Sequence, residues 1–256
     1  DTDVRLEGNS GYVICLPAAH MVTQVQTNMA ATLNIDWALR MAADLMSETG
    51  HFHDYADLVA RIDDWLARSE PGQILYHPYV SEAGERGPMV NANARAGFIG
   101  LSSGHSFPDL IRAVVESLGM AARDCYGAMD ELPRELRLTG GAAQSNSLRA
   151  ILSAAVGAPV RVSDRKEAGA AGCAMMAAVA IGAYSDMESC VAEWVSPLLG
   201  KAEVPDPELQ AIYAELYPVY VEAREALEPV WGRLAVHRDR QTAPKMNASK
   251  TAQGGS

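Results

Sequence analysis

Long apolar runs, clustered basic charge and paired cysteines are all missing from this chain of 256 residues. The most apolar segment, residues 168 to 183, is mostly Ala and Gly and falls short of the roughly 20 residues that span a bilayer, so it reads as a tightly packed helix and no membrane partner is expected. Basic residues are outnumbered, 21 Lys+Arg against 32 Asp+Glu, for a formal charge of −11. Nucleic acid needs a concentrated basic face, and the nearest approach to one, His237 to Arg240, is short and broken by an acid. Cys15, Cys125, Cys173 and Cys190 lie far apart with no C-x-x-C, as expected of small buried hydrophobes in a reducing, cytoplasmic compartment. His51 and His53 form the one close histidine pair, in a polar connector, and read as a surface pair rather than a metal site.

What is there suffices for one or two ordinary cores, with 48% of residues hydrophobic. The chain opens without Met, directly into alternating residues 4–16, which predict a β-hairpin turning at Gly8-Asn-Ser-Gly11. The expectation is therefore a piece of a longer protein. A helix is predicted from Asn34, its cap, with Ile35, Leu39, Ala42, Ala43 and Met46 on one stripe and Gly50 as its stop. A second helix is predicted over 54–69 and a strand over 75–80. Residues 81–104 have no helical period and predict a long ordered loop closing in a strand at 97–101; such loops usually have a task. Ser106 and Asp109 announce a capping box for a helix whose stripe is Leu110, Ile111, Val114, Leu118, Ala121, Cys125 and Met129. The Ala/Gly helix is predicted over 167–181 and a last amphipathic helix over about 206–227, with a disordered polar tail at 237–256.

The most informative stretch is Leu138-Thr-Gly-Gly-Ala-Ala-Gln-Ser-Asn-Ser147. Leu136, Leu138 and Thr139 suit a strand end, and Gly140-Gly141 permit a tight turn with close backbone approach. Ser145 or Asn146 can cap the next helix, which stops at Gly157. Strand, diglycine turn and capped helix together make a seat for a nucleotide, although an ordinary strand–helix joint has the same pattern.

Four segments in register carry a family resemblance. Gly8-Asn-Ser-Gly11 resembles a Gly-Thr-Ser-Gly phosphate hairpin, and Gly84 to Leu101 resembles the signature loop "GERxPxxxxxARGxFxGL". Gly140 to Ser145 resembles the adenosine motif "GGGAxSxxW", and Glu167 to Ala174 resembles the closing helix "ExxALGAAxxA". Together, over residues 4–230, they resemble the C-terminal domain of the FGGY carbohydrate kinases, on the xylulose and erythritol side of the family. The resemblance implies an α/β ribonuclease-H-like domain of the actin/hexokinase/Hsp70 ATPase superfamily. That domain, here residues 1–236, would be the C-terminal half of a two-domain sugar kinase. It further implies ATP and Mg2+ as cofactors, a ketopentose or tetritol as acceptor, and an N-terminal half as partner; a homodimer is a further expectation.

Under that resemblance Gly8, Asn9 and Ser10 would hold the β- and γ-phosphates through successive amides, with Asn9 standing where the family usually has Thr. Thr32 and Asp36 would touch phosphate or a magnesium-bound water; otherwise Asp36 belongs to an Asn34-capped helix beside a buried Trp37. Gly140, Gly141 and Ser145 would contact adenine and ribose, with Asn146 behind them, and Tyr12 would touch the acceptor or else pack on the core. Glu85 and Arg95 are expected to pin the long loop by ion pairing rather than to react. No catalytic residue is assigned. The general base would be an Asp on the preceding domain, and Asp1 and Asp3 lie too close to the hairpin to match it, so the fragment alone should not turn over. Two other classes compete: a nucleotide-dependent clamp of the same superfamily, which would lack the signature loop, and an assembly domain with no nucleotide site.

Overall fold

Ser106 opens the helix on which the rest of the molecule is built. In the structure, a computed structural model that describes residues 10–16, 22–52, 54–129 and 131–242, the Ser106 N–H and hydroxyl both donate to Asp109 Oδ2, each at 2.7 Å. The helix they start, α4 (Phe107–Gly127), was expected to bury one stripe. It buries nearly its whole circumference, Glu116, Ser117 and Asp124 included, because α1 (Leu33–Glu48), α3 (Ile62–Ala67), α5 (Asn146–Val156), α8 (Pro207–Thr242) and β3 (Leu75–His77) all pack on it. Burial of Ile111, Val114, Val115, Leu118 and Met120 stabilises the fold by about 1.5–3 kcal/mol per side chain.

The polar groups on α4 are matched by one face of α8. Tyr213 Oη donates to Glu116 Oε1 at 3.0 Å, Tyr217 Oη donates to Asp124 Oδ1 at 3.0 Å, and Arg224 Nε stands 3.4 Å from Asp124 Oδ2. Glu116 also accepts from the Gly72 N–H and pairs with Arg112 at 3.2 Å, so the buried charge is compensated on every side. The final helix therefore does not stop near 227. Trp231 packs edge-on against Tyr79 at 5.5 Å and Ala235 is buried one turn later; the helix continues to Thr242, through residues 237–242 that had been assigned to a tail. Residues 243–256 lie outside the described residues.

Among the described residues, three two-stranded sheets accompany this helical core. β1 (Tyr12–Cys15) pairs antiparallel with β2 (Val22–Val25), Tyr12 opposite Val25, so the second arm of the expected hairpin is a strand; its first arm, residues 4–7, lies outside the described residues. β3 pairs antiparallel with β4 (Gly97–Ile99), closing the long loop between them. β5 (Leu136–Leu138) pairs parallel with β6 (Val160–Val162), and α5 is the crossover. The predicted 54–69 helix is divided at Arg61 into α2 (Tyr55–Ala60) and α3.

α6 (Ala168–Ala180) departs from expectation. Only Met175 is buried, Ile181 just beyond it is 82% exposed, and a Cβ built on Gly169 or Gly172 would meet nothing within 4 Å. Its small residues do not pack it tightly. α7 (Met187–Trp194) follows it, capped by Asp186 Oδ1, which accepts the Ser189 N–H at 2.7 Å. Two cysteines, Cys125 and Cys190, are buried as expected, whereas Cys15 and Cys173 are exposed. Among the described residues no helix is long and apolar enough to cross a membrane, and no cluster of three or more metal-ligating side chains occurs.

Candidate functional site

The diglycine joint leaves β5 through Gly140, whose φ of 80° and ψ of −162° belong to a region open in practice only to glycine. A Cβ there would meet nothing within 4 Å, so the corner presents bare backbone to open space. One short 3-10 turn, Gly141–Gln144, leads to Ser145, the N-cap of α5. Ser145 Oγ accepts the Leu148 N–H at 3.2 Å and donates to Asp63 Oδ1 at 3.3 Å. Its hydroxyl is thus committed at both ends, and the group left facing outward is the exposed Asp63 carboxylate. Arg149 clamps the same corner: it donates to Ala143 O at 2.7 Å and to Asn146 Oδ1 at 2.5 Å, and pairs with Glu203 at 2.8 Å. Asn146 is therefore engaged within the turn.

Of the residues expected at the phosphates, Ser10, Thr32 and Asp36 are described, while Gly8 and Asn9 lie outside the described residues. Ser10 is buried, and its Oγ accepts from Gln26 Nε2 at 3.4 Å, so its hydroxyl is turned inward. Thr32 is exposed and is the N-cap residue of α1, a place expected for Asn34. Asn34 is instead fully buried, with Nδ2 donating to Ala31 O and Pro78 O and Oδ1 accepting from Tyr76 Oη, because its position faces β3 rather than solvent. Asp36 accepts a short hydrogen bond from Tyr55 Oη; burial first, and then that carboxylate, push the phenol up to about 12. Trp37 is half-buried, stacked on Tyr76 at 6.4 Å. Tyr12 is 49% exposed on β1 and does not pack into the core.

The two groups are joined by α2 and α3. Tyr55, bonded to Asp36, starts this pair of helices, and Asp63, bonded to Ser145, stands eight residues along it. Nothing in the linear pattern could have found Asp63, Tyr55 or Arg149. Asp63 is 82 positions from Ser145, and a surface acid in a short helix has no signal of its own.

The long loop is pinned, but not by the expected ion pair. Glu85 is 1% exposed, and its Oε1 accepts from the backbone N–H of Met29 at 2.9 Å, Arg86 at 2.7 Å and Gly87 at 3.4 Å. Burial pushes its carboxyl upward, and the three amides oppose that shift. Arg95 reaches the carbonyls of Ala92, Ala94 and Glu82 instead. Both side chains satisfy backbone groups that a loop without ladder partners would otherwise leave bare.

Comparison with known proteins identifies the family. The model of the FGGY family of carbohydrate kinases, C-terminal domain, matches residues 10–181. The chain is 65% identical over 235 residues, 92% of its length, to an erythritol kinase of Brucella abortus, and 26% identical over 204 residues to a xylulose kinase of Staphylococcus epidermidis. It covers 45% and 39% of those two proteins, so it spans less than half the length of these relatives. Among solved structures, a ligand-bound xylulose kinase from Lactobacillus acidophilus superposes with a TM-score of 0.73 at 24% identity, over 87% of this chain and 43% of that one. A xylulose kinase from Rhodospirillum rubrum gives 0.72 at 22% identity, over 88% and 44%. The fold is accordingly the ribonuclease-H-like one expected, and the chain belongs to the FGGY family of carbohydrate kinases, whose C-terminal domain it carries.

Proposed function

We propose that this chain is the nucleotide-side half of an ATP-dependent kinase that phosphorylates a hydroxyl of a small polyol or ketose, of the tetritol or ketopentose class. The observation that carries the reading is the Gly140 corner, open backbone between a strand and a Ser-capped helix, in a chain 65% identical to an erythritol kinase. The clamp alternative is not favoured, because the proteins it matches are sugar and polyol kinases.

Phosphoryl transfer asks the protein for position and charge rather than covalent help. In this reading Gly140 and Gly141 receive the flat face of adenine. Asp63, oriented by the Ser145 proton, accepts a hydrogen bond from the nucleoside, and Arg149 keeps the turn in shape. Thr32 and Asp36 stand toward the phosphates with the amides of Gly8, Asn9 and Ser10, and Tyr12 reaches the acceptor. Asp36 would exchange its Tyr55 bond for a phosphate-bound water. Magnesium would come with the phosphates rather than in a protein cage.

The bare, apolar α6 is the natural seat for the N-terminal half, which in this reading supplies the general base. Hinge closure of that half over the nucleotide would exclude water from the transfer. The test uses the full-length protein with MgATP and a panel of tetritols and pentuloses, scored by ADP release. Release with a tetritol is the expected result, and no release with any acceptor would end the reading.

A further inference from the structure

We propose that Glu85 is a positioning residue for the nucleotide site, coupling the 84–101 loop to the strained turn at residues 28–32 that carries Thr32. The inference rests on the nucleotide-facing reading of Thr32 and Asp36. Ala31 has a φ of 26°, in the left-handed range, where a residue with a Cβ is held only if its surroundings over-determine it. They do so here from three directions. Asn28 Oδ1 accepts the Ala30 and Ala31 N–H groups at 3.2 and 2.9 Å. Asn34 Nδ2 donates to Ala31 O at 3.0 Å and to Pro78 O at 2.9 Å. Glu85 Oε1 takes the Met29 N–H at 2.9 Å, from 56 residues away.

Glu85 is itself fixed at the neck of its loop. Its N–H donates to Asn91 O, and the Asn91 N–H donates to its carbonyl, both at 3.0 Å. A displacement of the 85–91 neck therefore pulls on the peptide of Met29, three residues before Thr32. Two details separate this from ordinary loop support. All three amides converge on Oε1, while Oε2 is buried with no hydrogen-bond partner. A carboxylate buried for stability alone is expected to use both oxygens, because each bare buried acceptor carries a desolvation cost. The side chain is also sealed from any substrate, so it acts through the turn and not on the reacting atoms.

The test is made on the full-length protein. Glu85→Gln keeps the shape and weakens the acceptor, and should raise KM for ATP roughly fivefold, the effect of turning a charge-assisted hydrogen bond into a neutral one. KM for the polyol should stay within about twofold of the unaltered protein. Glu116→Gln is the control, since that buried carboxylate serves α4 and α8 without touching the turn. It should lower the melting temperature and leave both KM values in place. Should Glu85→Gln fail to fold, Asn28→Ala releases the same turn from its other side and should show the same nucleotide-only effect. An unchanged KM for ATP, or a parallel rise in both KM values, overturns the proposal. Absence of ADP release by the unaltered protein would instead overturn the kinase reading, and ATP binding by titration calorimetry would then decide the role of Glu85.

Discussion

Replacing Gly140 by Ala separates two costs that glycine substitutions usually confound. At φ 80° and ψ −162° the added methyl carries a backbone penalty of roughly 1–3 kcal/mol, since this region is populated almost only by glycine. It carries no clash, because no heavy atom lies within 4 Å of the new Cβ. At about 2–4 °C per kcal/mol for a domain of this size, the melting temperature should fall by about 2–12 °C and the protein should still fold. Gly84 makes the contrast. It too has positive φ, 77°, but its Cβ would stand 2.2 Å from Asn91 O and 2.6 Å from the Ala92 backbone, so clash adds to strain and the 85–91 neck must open. Differential scanning calorimetry should therefore rank Gly84→Ala well below Gly140→Ala in stability. Nucleotide binding should order them differently from stability alone. In the folded Gly140→Ala protein the methyl projects from the surface assigned to adenine and should weaken ATP binding about tenfold or more, measured by titration calorimetry at a temperature where the protein is fully native. Unchanged ATP affinity in a natively folded Gly140→Ala protein would refute the placement of the nucleoside. A loss of stability equal to that of Gly84→Ala would refute the claim that the corner is open.

Arg149→Met keeps the aliphatic stem and removes the bonds to Ala143 O, Asn146 and Glu203; it should raise KM for ATP several-fold while lowering stability by about 1–2 kcal/mol, read from steady-state kinetics and a urea melt. Asp63→Ala should raise KM for ATP with almost no change in melting temperature, because the carboxylate is exposed and its one long hydrogen bond is dispensable for folding. Thiol labelling at pH 8 should modify Cys15 and Cys173 rapidly, with Cys125 and Cys190 reacting only on unfolding. Burial pushes the Cys125 thiol up to about 12 from 9, so its contribution to stability is complete below pH 9 and is lost as pH rises from there through about 12; Cys125→Ala should remove that part of the alkaline decline in stability.

The helix starts announced by Ser106 and Ser145 are present. The Ser106 capping box, the Ser145 cap and the Gly157 stop depend on neighbours within four positions, and so does the strand–turn–helix shape of the Gly140 corner. The resemblance carried by four short motifs was legible for the same reason, since each motif is a continuous run of sequence. The stop near 227 was misjudged because Trp231 is held by Tyr79, more than a hundred residues away. Asn34 was misread as a cap because its polar side chain suits an exposed helix start, and only β3 and Pro78 turn that position inward. Glu85 and Arg95 were rightly read as pins, but their partners are backbone groups, which carry no residue-type signal.

Sequence alone therefore determined most element types, the strand–turn–helix shape at Gly140 and the family, because these follow from propensity, capping and turn chemistry acting over a few residues. Tertiary structure decided which side chains stand around those corners: Asp63 on Ser145, Tyr55 on Asp36, and Glu85 on Met29. Those bonds join residues 19 to 82 positions apart, and a hydrogen bond between distant residues exists only once the core has folded around α4 and set their positions.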